Sequence, residues 1–427
     1  MVIRRDKYLN QLIHAMDLDM IKIITGMRRS GKSFLLFHLF CDYLKSIGIE
    51  QDQIIMIDLD AVENERFRNI DNLYREIKSR IQSDSRKYYV LLDELQYAIG
   101  KDERKNNKPL RVYDLLNSFM HMKNVDVYVT GSNSKFLSKD IMTEFRGRGW
   151  PIHVQPLAFS EYYGAKGGDF TTAWEEYLIY GGLPFLFSLE NHEDKYQYLN
   201  NVFNEVYLKD IQERYSIKNN AGMNELIDVI SSSVGSLTNP QRIAKTFCSN
   251  SRIISEPTIT DYLEYLQDAF LIQKVDRYDI KGRKYIGTPS KYYFSDIGIR
   301  NARLNFRQQE KSHLMENVIY NELVYRGFNI DVGVMPVNVT EDGQHMKKQY
   351  EIDFVANNIS KRYYIQSALN VDTKEKLEQE QRSLISLPDG FKRIIVTENT
   401  YRPWHTEEGT LVVGLKDFML DQNSLEL

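Results

Sequence analysis

Met20-Ile-Lys-Ile-Ile-Thr25 runs directly into Gly26-Met27-Arg28-Arg29-Ser30-Gly31-Lys32-Ser33, and the stretch from Phe34 to Leu44 follows with apolar side chains at Leu35, Leu36, Leu39, Phe40 and Tyr43. A short β-rich run, a glycine-bracketed loop and a helical periodicity in that order predict a strand–loop–helix unit. The loop reads GxxxxGK[ST], and its mechanism is physical. Gly26 and Gly31 let the backbone curl so that successive amides face one point, and the helix start adds its positive end. Such a cradle suits phosphate oxygens. Gly26, Met27, Arg28, Arg29, Ser30, Gly31, Lys32, Ser33 and Phe34 are therefore expected to line a nucleoside triphosphate. Lys32 would reach the β and γ phosphates, and the Ser33 hydroxyl would face Mg²⁺, a hard cation that prefers oxygen.

Further along, Tyr88 to Leu92 is a short apolar strand that ends in Asp93-Glu94, the form of a Walker B motif. There Asp93 would hold Mg²⁺ and Glu94 would polarise the attacking water. Gln53 to Leu59 and Val125 to Thr130 are two more β-rich runs separated by helical patterns, so the alternation predicts an α/β core with a parallel sheet covered on both faces. Ligands in such sheets sit at the carboxyl ends of the strands. Gly131-Ser132-Asn133-Ser134 lies at one of these ends, which makes Ser132 or Asn133 a candidate partner for the lytic water or the γ-phosphate.

The whole chain bounds these readings. Its 427 residues exceed one ordinary domain, and 42% hydrophobic with 27% charged residues is a globular composition. Lys plus Arg number 55 against 59 Asp plus Glu, for a net charge of −4, so a polycation that coats nucleic acid is excluded. No apolar run approaches a membrane span, and no signal-like segment opens the chain, so no membrane partner is expected. Cys41 and Cys248 make no disulfide framework, the eight His residues show no zinc spacing, and a reducing cytoplasm fits.

These motifs, with GRGWPIHVQPLAFSEY (147–162), YGGLP (180–184), DIGIRNA (296–302) and EIDFVA (351–356), resemble prokaryotic AAA+ ATPases in which one P-loop module precedes a nuclease-like C-terminal domain of unknown function. The resemblance spans nearly the whole chain. It implies ATP and Mg²⁺ as cofactors, a sensor role at Ser132 or Asn133, and an arginine finger at Arg148, with Arg146 as its competitor. A finger in such proteins commonly comes from a neighbouring copy, which implies a homo-oligomer. The helical stretch from Thr172 to Tyr215 would be a lid.

In the middle segment, three helical patterns (Met223 to Val234, Gln241 to Phe247, Thr258 to Ala269) precede two strand patterns (Leu271 to Arg277, Lys291 to Ser295) joined by the basic turn Lys281-Gly282-Arg283-Lys284. That order predicts a winged helix. Its third helix offers Asp261, Glu264 and Asp268 with only Gln267 suited to base edges, so base readout is not expected. Phosphate contact through Arg283 and Lys284 and docking on a protein both stay open, leaving DNA or a protein as the partner.

The remainder reads αβββαβ and is similar to the PD-(D/E)xK nuclease core. Matching by position, the similarity assigns Glu316, with Glu322 as alternative, to the helix acid, Asp353 to the first strand acid, and Gln366 to the second. The lysine of that pattern is replaced by Ala368, which implies a nuclease fold that has lost catalysis. The expected domains are a P-loop core over 1–165, a lid over 166–220, a winged helix over 221–305 and the nuclease-like α/β domain over 306–427. The expected function is Mg²⁺-dependent ATP hydrolysis coupled to the C-terminal half; a nucleotide switch with negligible turnover and an ATP-gated nuclease are the alternatives.

Overall fold

The computed structural model describes residues 2–82, 84–100, 111–132, 147–249, 254–341, 344–399 and 402–427. The chain divides into two compact units. The first holds residues 1–156 with 268–270, and the second holds 157–267 with 271–427.

The first unit is built on five strands: β1 (Ile21–Thr25), β2 (Ile54–Asp58), β3 (Tyr88–Asp93), β4 (Val125–Gly131) and β5 (Gly149–His153). They pair in the order β2-β3-β4-β1-β5, and every pairing is parallel. β1 and β3 are buried along their whole length, as parallel strands covered on both faces must be. Ile23, Ile57, Leu92 and Val129 from the strands pack with Leu73, Ile77 and Leu116 from flanking helices. A buried ion pair lies within this sheet. Lys22 on β1 is fully buried, pairs with Asp126 on β4 and donates to the Leu18 carbonyl at 2.8 Å, so its ammonium is satisfied. The register sets Thr25 against Gly131 and Asp58 against Asp93, which brings the carboxyl ends to one edge of the sheet.

The second unit begins with helices at Phe159–Lys166, Phe170–Tyr180 and His192–Asn201, the last continuing through a π-helical turn into Lys209–Arg214. Asn220–Ser232, Pro240–Ser249 and Glu256–Asp268 are the three helices expected in the middle segment. They lead into β6 (Ile272–Asp279) and β7 (Lys284–Phe294). The Lys311–Tyr325 helix then precedes β8 (Asn329–Glu341), β9 (Gln344–Asn358), β10 (Lys361–Ala368), the Lys374–Ile385 helix and β11 (Lys392–Thr397), followed by β12 (Trp404–His405), β13 (Leu411–Gly414) and a last helix, Leu415–Leu420. The αβββαβ order is present.

The two strands expected as the wing pair with each other and also join the sheet that follows. β6 pairs in parallel with β8, setting Arg277 against Val332 and Tyr278 against Gly333. All eight strands form one sheet in the order β12-β13-β11-β10-β9-β8-β6-β7. The sheet therefore takes strands from both sides of residue 305. The physical reason is that a two-stranded hairpin leaves unpaired N–H and C=O groups along its edge, and β8 satisfies those of Arg277 to Asp279. Residues 166–220, 221–305 and 306–427 lie in the second compact unit apart from 268–270, and that unit begins at Leu157.

Candidate functional site

The loop after β1 has the conformation its glycines predict. Gly26 has φ +144°, and a β-carbon there would lie 2.1 Å from the carbonyl oxygen of Val154, so no other residue fits without moving the β5 end. Arg29, at φ +62°, takes the left-handed region without being glycine. Lys32 opens the following helix and is buried, donating to the carbonyls of Gly26 at 3.0 Å and Met27 at 2.9 Å. Burial lowers its pKa, Glu94 and Asp93 oppose that shift, and Arg28 adds to it. The lysine thus staples the loop from inside while its charge is poorly solvated, a state that phosphate oxygens would relieve.

Asp93 and Glu94 end β3 beside the loop. Asp93 is buried and hydrogen-bonded to the hydroxyls of Ser33 and Thr130. Its carboxyl is pushed up to about 6 by burial and by Glu94, against the pull of those hydroxyls and Lys32. Glu94 sits at φ 50°, ψ 51°, a strained position for a non-glycine residue, and its N–H donates to Thr130 Oγ1 at 3.0 Å. Its side chain accepts from Gln96 Nε2 and from the Ser132 hydroxyl, the latter at 3.2 Å. Arg28 Nε donates in turn to Ser132 Oγ at 3.3 Å. Ser33, Asp93, Thr130, Glu94, Ser132 and Arg28 therefore share one hydrogen-bonded cluster, and Lys32 feels the charges of Asp93 and Glu94 beside it.

Three of its supports lay outside the sequence reading. Thr130 ends the β-rich run before Gly131 and Gln96 follows two residues after Glu94, yet nothing in their spacing marks a threonine hydroxyl as the bridge between two acids. Arg5 is buried far from the loop in sequence and donates to the carbonyls of Ser30 at 2.9 Å and Gln155 at 2.7 Å.

Arg148 is exposed and stands just before β5, where its carbonyl accepts from Ile21 at the amino end of β1. Five residues of strand, roughly 17 Å at 3.3 Å per residue, separate it from the loop at the other end. It cannot serve the cluster of its own chain. Asn133 and Arg146 lie outside the described residues.

In the second unit, Glu316 and Asp353 are brought together around the buried ammonium of Lys291. Gln366 is beside them, accepting the N–H of Asp353 at 3.4 Å. Glu322 is elsewhere, paired with Arg326 at 2.8 Å. The YGGLP and DIGIRNA motifs also meet. Asp296 accepts from Gly182 N at 2.8 Å and Ile299 N at 3.0 Å, capping the Ile297–Arg303 helix, while Asn301 donates to the carbonyls of Leu178 at 2.8 Å and Ile179 at 3.0 Å. Gly298 passes so close that a β-carbon would lie 2.0 Å from the Tyr180 oxygen. These motifs carry a structural junction.

Residues 19–163 match the family model of an AAA domain, which defines the first unit as an AAA-type P-loop domain, and residues 171–310 match a domain of unknown function, DUF8612. The two motifs of the junction fall near the two ends of that second match. An uncharacterized protein of Haemophilus influenzae is 32% identical over 425 residues, covering 98% of this chain and 99% of that protein, and the chain belongs to its family. An uncharacterized protein of Methanocaldococcus jannaschii is 27% identical over 349 residues, 78% of this chain and 71% of its own. Among solved structures, a Walker-type ATPase of Pyrococcus abyssi is similar with a TM-score of 0.48 and 14% identity over 71% of this chain and 96% of that one. No helix among the described residues is long and apolar enough to cross a membrane.

Proposed function

We propose that the chain hydrolyses ATP to ADP and phosphate with Mg²⁺, and that the nucleotide state governs how the second unit engages DNA or a protein. The observation that carries this reading is the single cluster of Lys32, Ser33, Asp93, Glu94 and Ser132 at the carboxyl ends of β1, β3 and β4. The loop amides and Lys32 bind the phosphates. Ser33 and Asp93 fit a hard divalent ion, since both offer oxygen and already face each other. Mg²⁺ bound there would supply neutralising charge at the β and γ oxygens. Glu94, oriented by Gln96, Ser132 and Thr130, takes the proton of the attacking water, and Ser132 positions the γ-phosphate. Arg28, inside the loop and bonded to Ser132, adds a cation on the same side.

In this reading the helices over 166–220 act as the lid and the middle helices with the Lys281–Lys284 turn as the partner-binding segment. The αβββαβ order supports a nuclease-like ancestry for the rest of the second unit. Ala368 and the ion pairs of Lys291 argue against phosphodiester cleavage there. Phosphate release by the purified chain tests the proposal: Lys32→Ala should abolish nucleotide binding, and Glu94→Gln should retain binding while lowering turnover at least about a hundredfold. Turnover unaffected by both changes refutes it.

A further inference from the structure

Three elements of the second unit converge on one ammonium. Lys291 stands on β7, Glu316 on the Lys311–Tyr325 helix, and Glu351 and Asp353 two residues apart on β9, hence on one face of that strand. Lys291 Nζ lies 2.9 Å from Glu316, 2.9 Å from Glu351 and 3.6 Å from Asp353, and its side chain is 3% exposed. The Tyr293 hydroxyl, on the same face of β7, donates to the same Glu316 oxygen at 2.5 Å. Asp353 accepts the N–H of Ser367 at 2.9 Å through its other oxygen.

The nuclease-like resemblance implies a divalent ion between the helix acid and the strand acid. The residues present do not fit one. The carboxylate oxygens that would face such an ion already face an ammonium, and a second cation at that spacing would meet like charge in a poorly solvated site. Among the described residues no group of three or more His, Cys, Asp or Glu is arranged to hold a metal. We infer that Lys291 is the resident cation of this cluster: its ammonium takes the position a divalent ion would occupy and pins the β6–β7 hairpin to the helix and to β9. A side chain of the hairpin is thus held by carboxylates of the αβββαβ core, in addition to the β6–β8 backbone ladder. The ionisation state agrees with the geometry. Burial opposes the charge on Lys291, yet Glu316, Asp353 and Glu351 together hold its pKa above the ordinary lysine range.

The test is Mn²⁺ titration of the full chain without nucleotide, followed by the spin resonance signal of free Mn²⁺. Wild type and Asp353→Asn should bind Mn²⁺ identically. Lys291→Met, which keeps length and removes charge, should gain one site at least about tenfold tighter than any in wild type, and Lys291→Met with Asp353→Asn should lose it. Mn²⁺ binding by wild type that vanishes in Asp353→Asn overturns the inference, as does a folded Lys291→Met with no new site. If Lys291→Met does not fold, the wild-type and Asp353→Asn titrations still decide, and Mn²⁺-dependent DNA nicking that requires Asp353 counts against the inference independently.

Discussion

The guanidinium of Arg5 donates to the carbonyl of Ser30 in the phosphate loop at 2.9 Å and, through its other terminal nitrogen, to that of Gln155 at 2.7 Å. The loop is therefore braced from behind by a residue that no phosphate-binding motif contains. Charged hydrogen bonds to buried carbonyls contribute about 1.5–3 kcal/mol each. Arg5→Ala is expected to lower the melting temperature by several degrees and weaken binding of a non-cleavable ATP analogue about tenfold, read by thermal shift and calorimetry. Unchanged affinity would show the brace to be irrelevant to the site.

Thr130 bridges the two acids, its hydroxyl donating to Asp93 while accepting the N–H of Glu94 at 3.0 Å. Thr130→Val keeps the shape and removes both bonds. Nucleotide affinity should change less than about threefold, whereas kcat should fall about ten- to a hundredfold, because the bridge orients groups that act in the chemical step. Equal losses in both would assign Thr130 to the fold alone.

Asp93 offers a dependence on pH. Its carboxyl is held up to about 6, mainly by burial, and only the ionised form can bind a cation. The apparent Mg²⁺ affinity, measured with a non-cleavable analogue between pH 5 and 8, should be flat above about 6 and fall toward tenfold per unit below it. Asp93→Asn should flatten the profile.

Arg148 lies at the amino end of the sheet, away from the loop. Arg148→Ala should leave ATP-analogue affinity within about twofold of wild type. If Arg148 acts on a neighbouring copy, mixing Arg148→Ala with Glu94→Gln chains should restore turnover that each lacks alone, since mixed pairs then hold intact sites. No restoration, with a monomer at all concentrations in ATP, removes the finger role.

Asp296 holds the Gly182 and Ile299 amides and caps a helix. Asp296→Ala leaves two buried donors unpaired and should destabilise the second unit by about 3–5 kcal/mol in denaturant unfolding. The folded carboxyl, raised by burial to about 6, binds its proton more tightly than the unfolded chain does. Wild type should therefore lose about 3 kcal/mol of its advantage over Asp296→Asn as pH rises from about 4 to 6, with no further change above.

The sequence by itself determined what is contiguous along the chain. The phosphate loop, the acids ending β3 and the serine ending β4 each follow a strand whose character is set by its own residues. Parallel pairing then aligns those ends without further information. The αβββαβ order was legible for the same reason, because strand and helix periodicities are local.

Tertiary structure alone decided which distant side chains meet. Lys291 reads as one more base in a basic hairpin until β6 pairs with β8 and turns it toward Glu316 and Asp353. Glu322 stood as the alternative to Glu316 until Arg326 took it as a partner. Arg148 could be placed near the phosphates or far from them until β5 joined β1 in parallel and set it at the opposite end. Hydrogen-bonding periodicity is written residue by residue, whereas the pairing of buried charges depends on strand order and register, which emerge only when edges are satisfied and cores close.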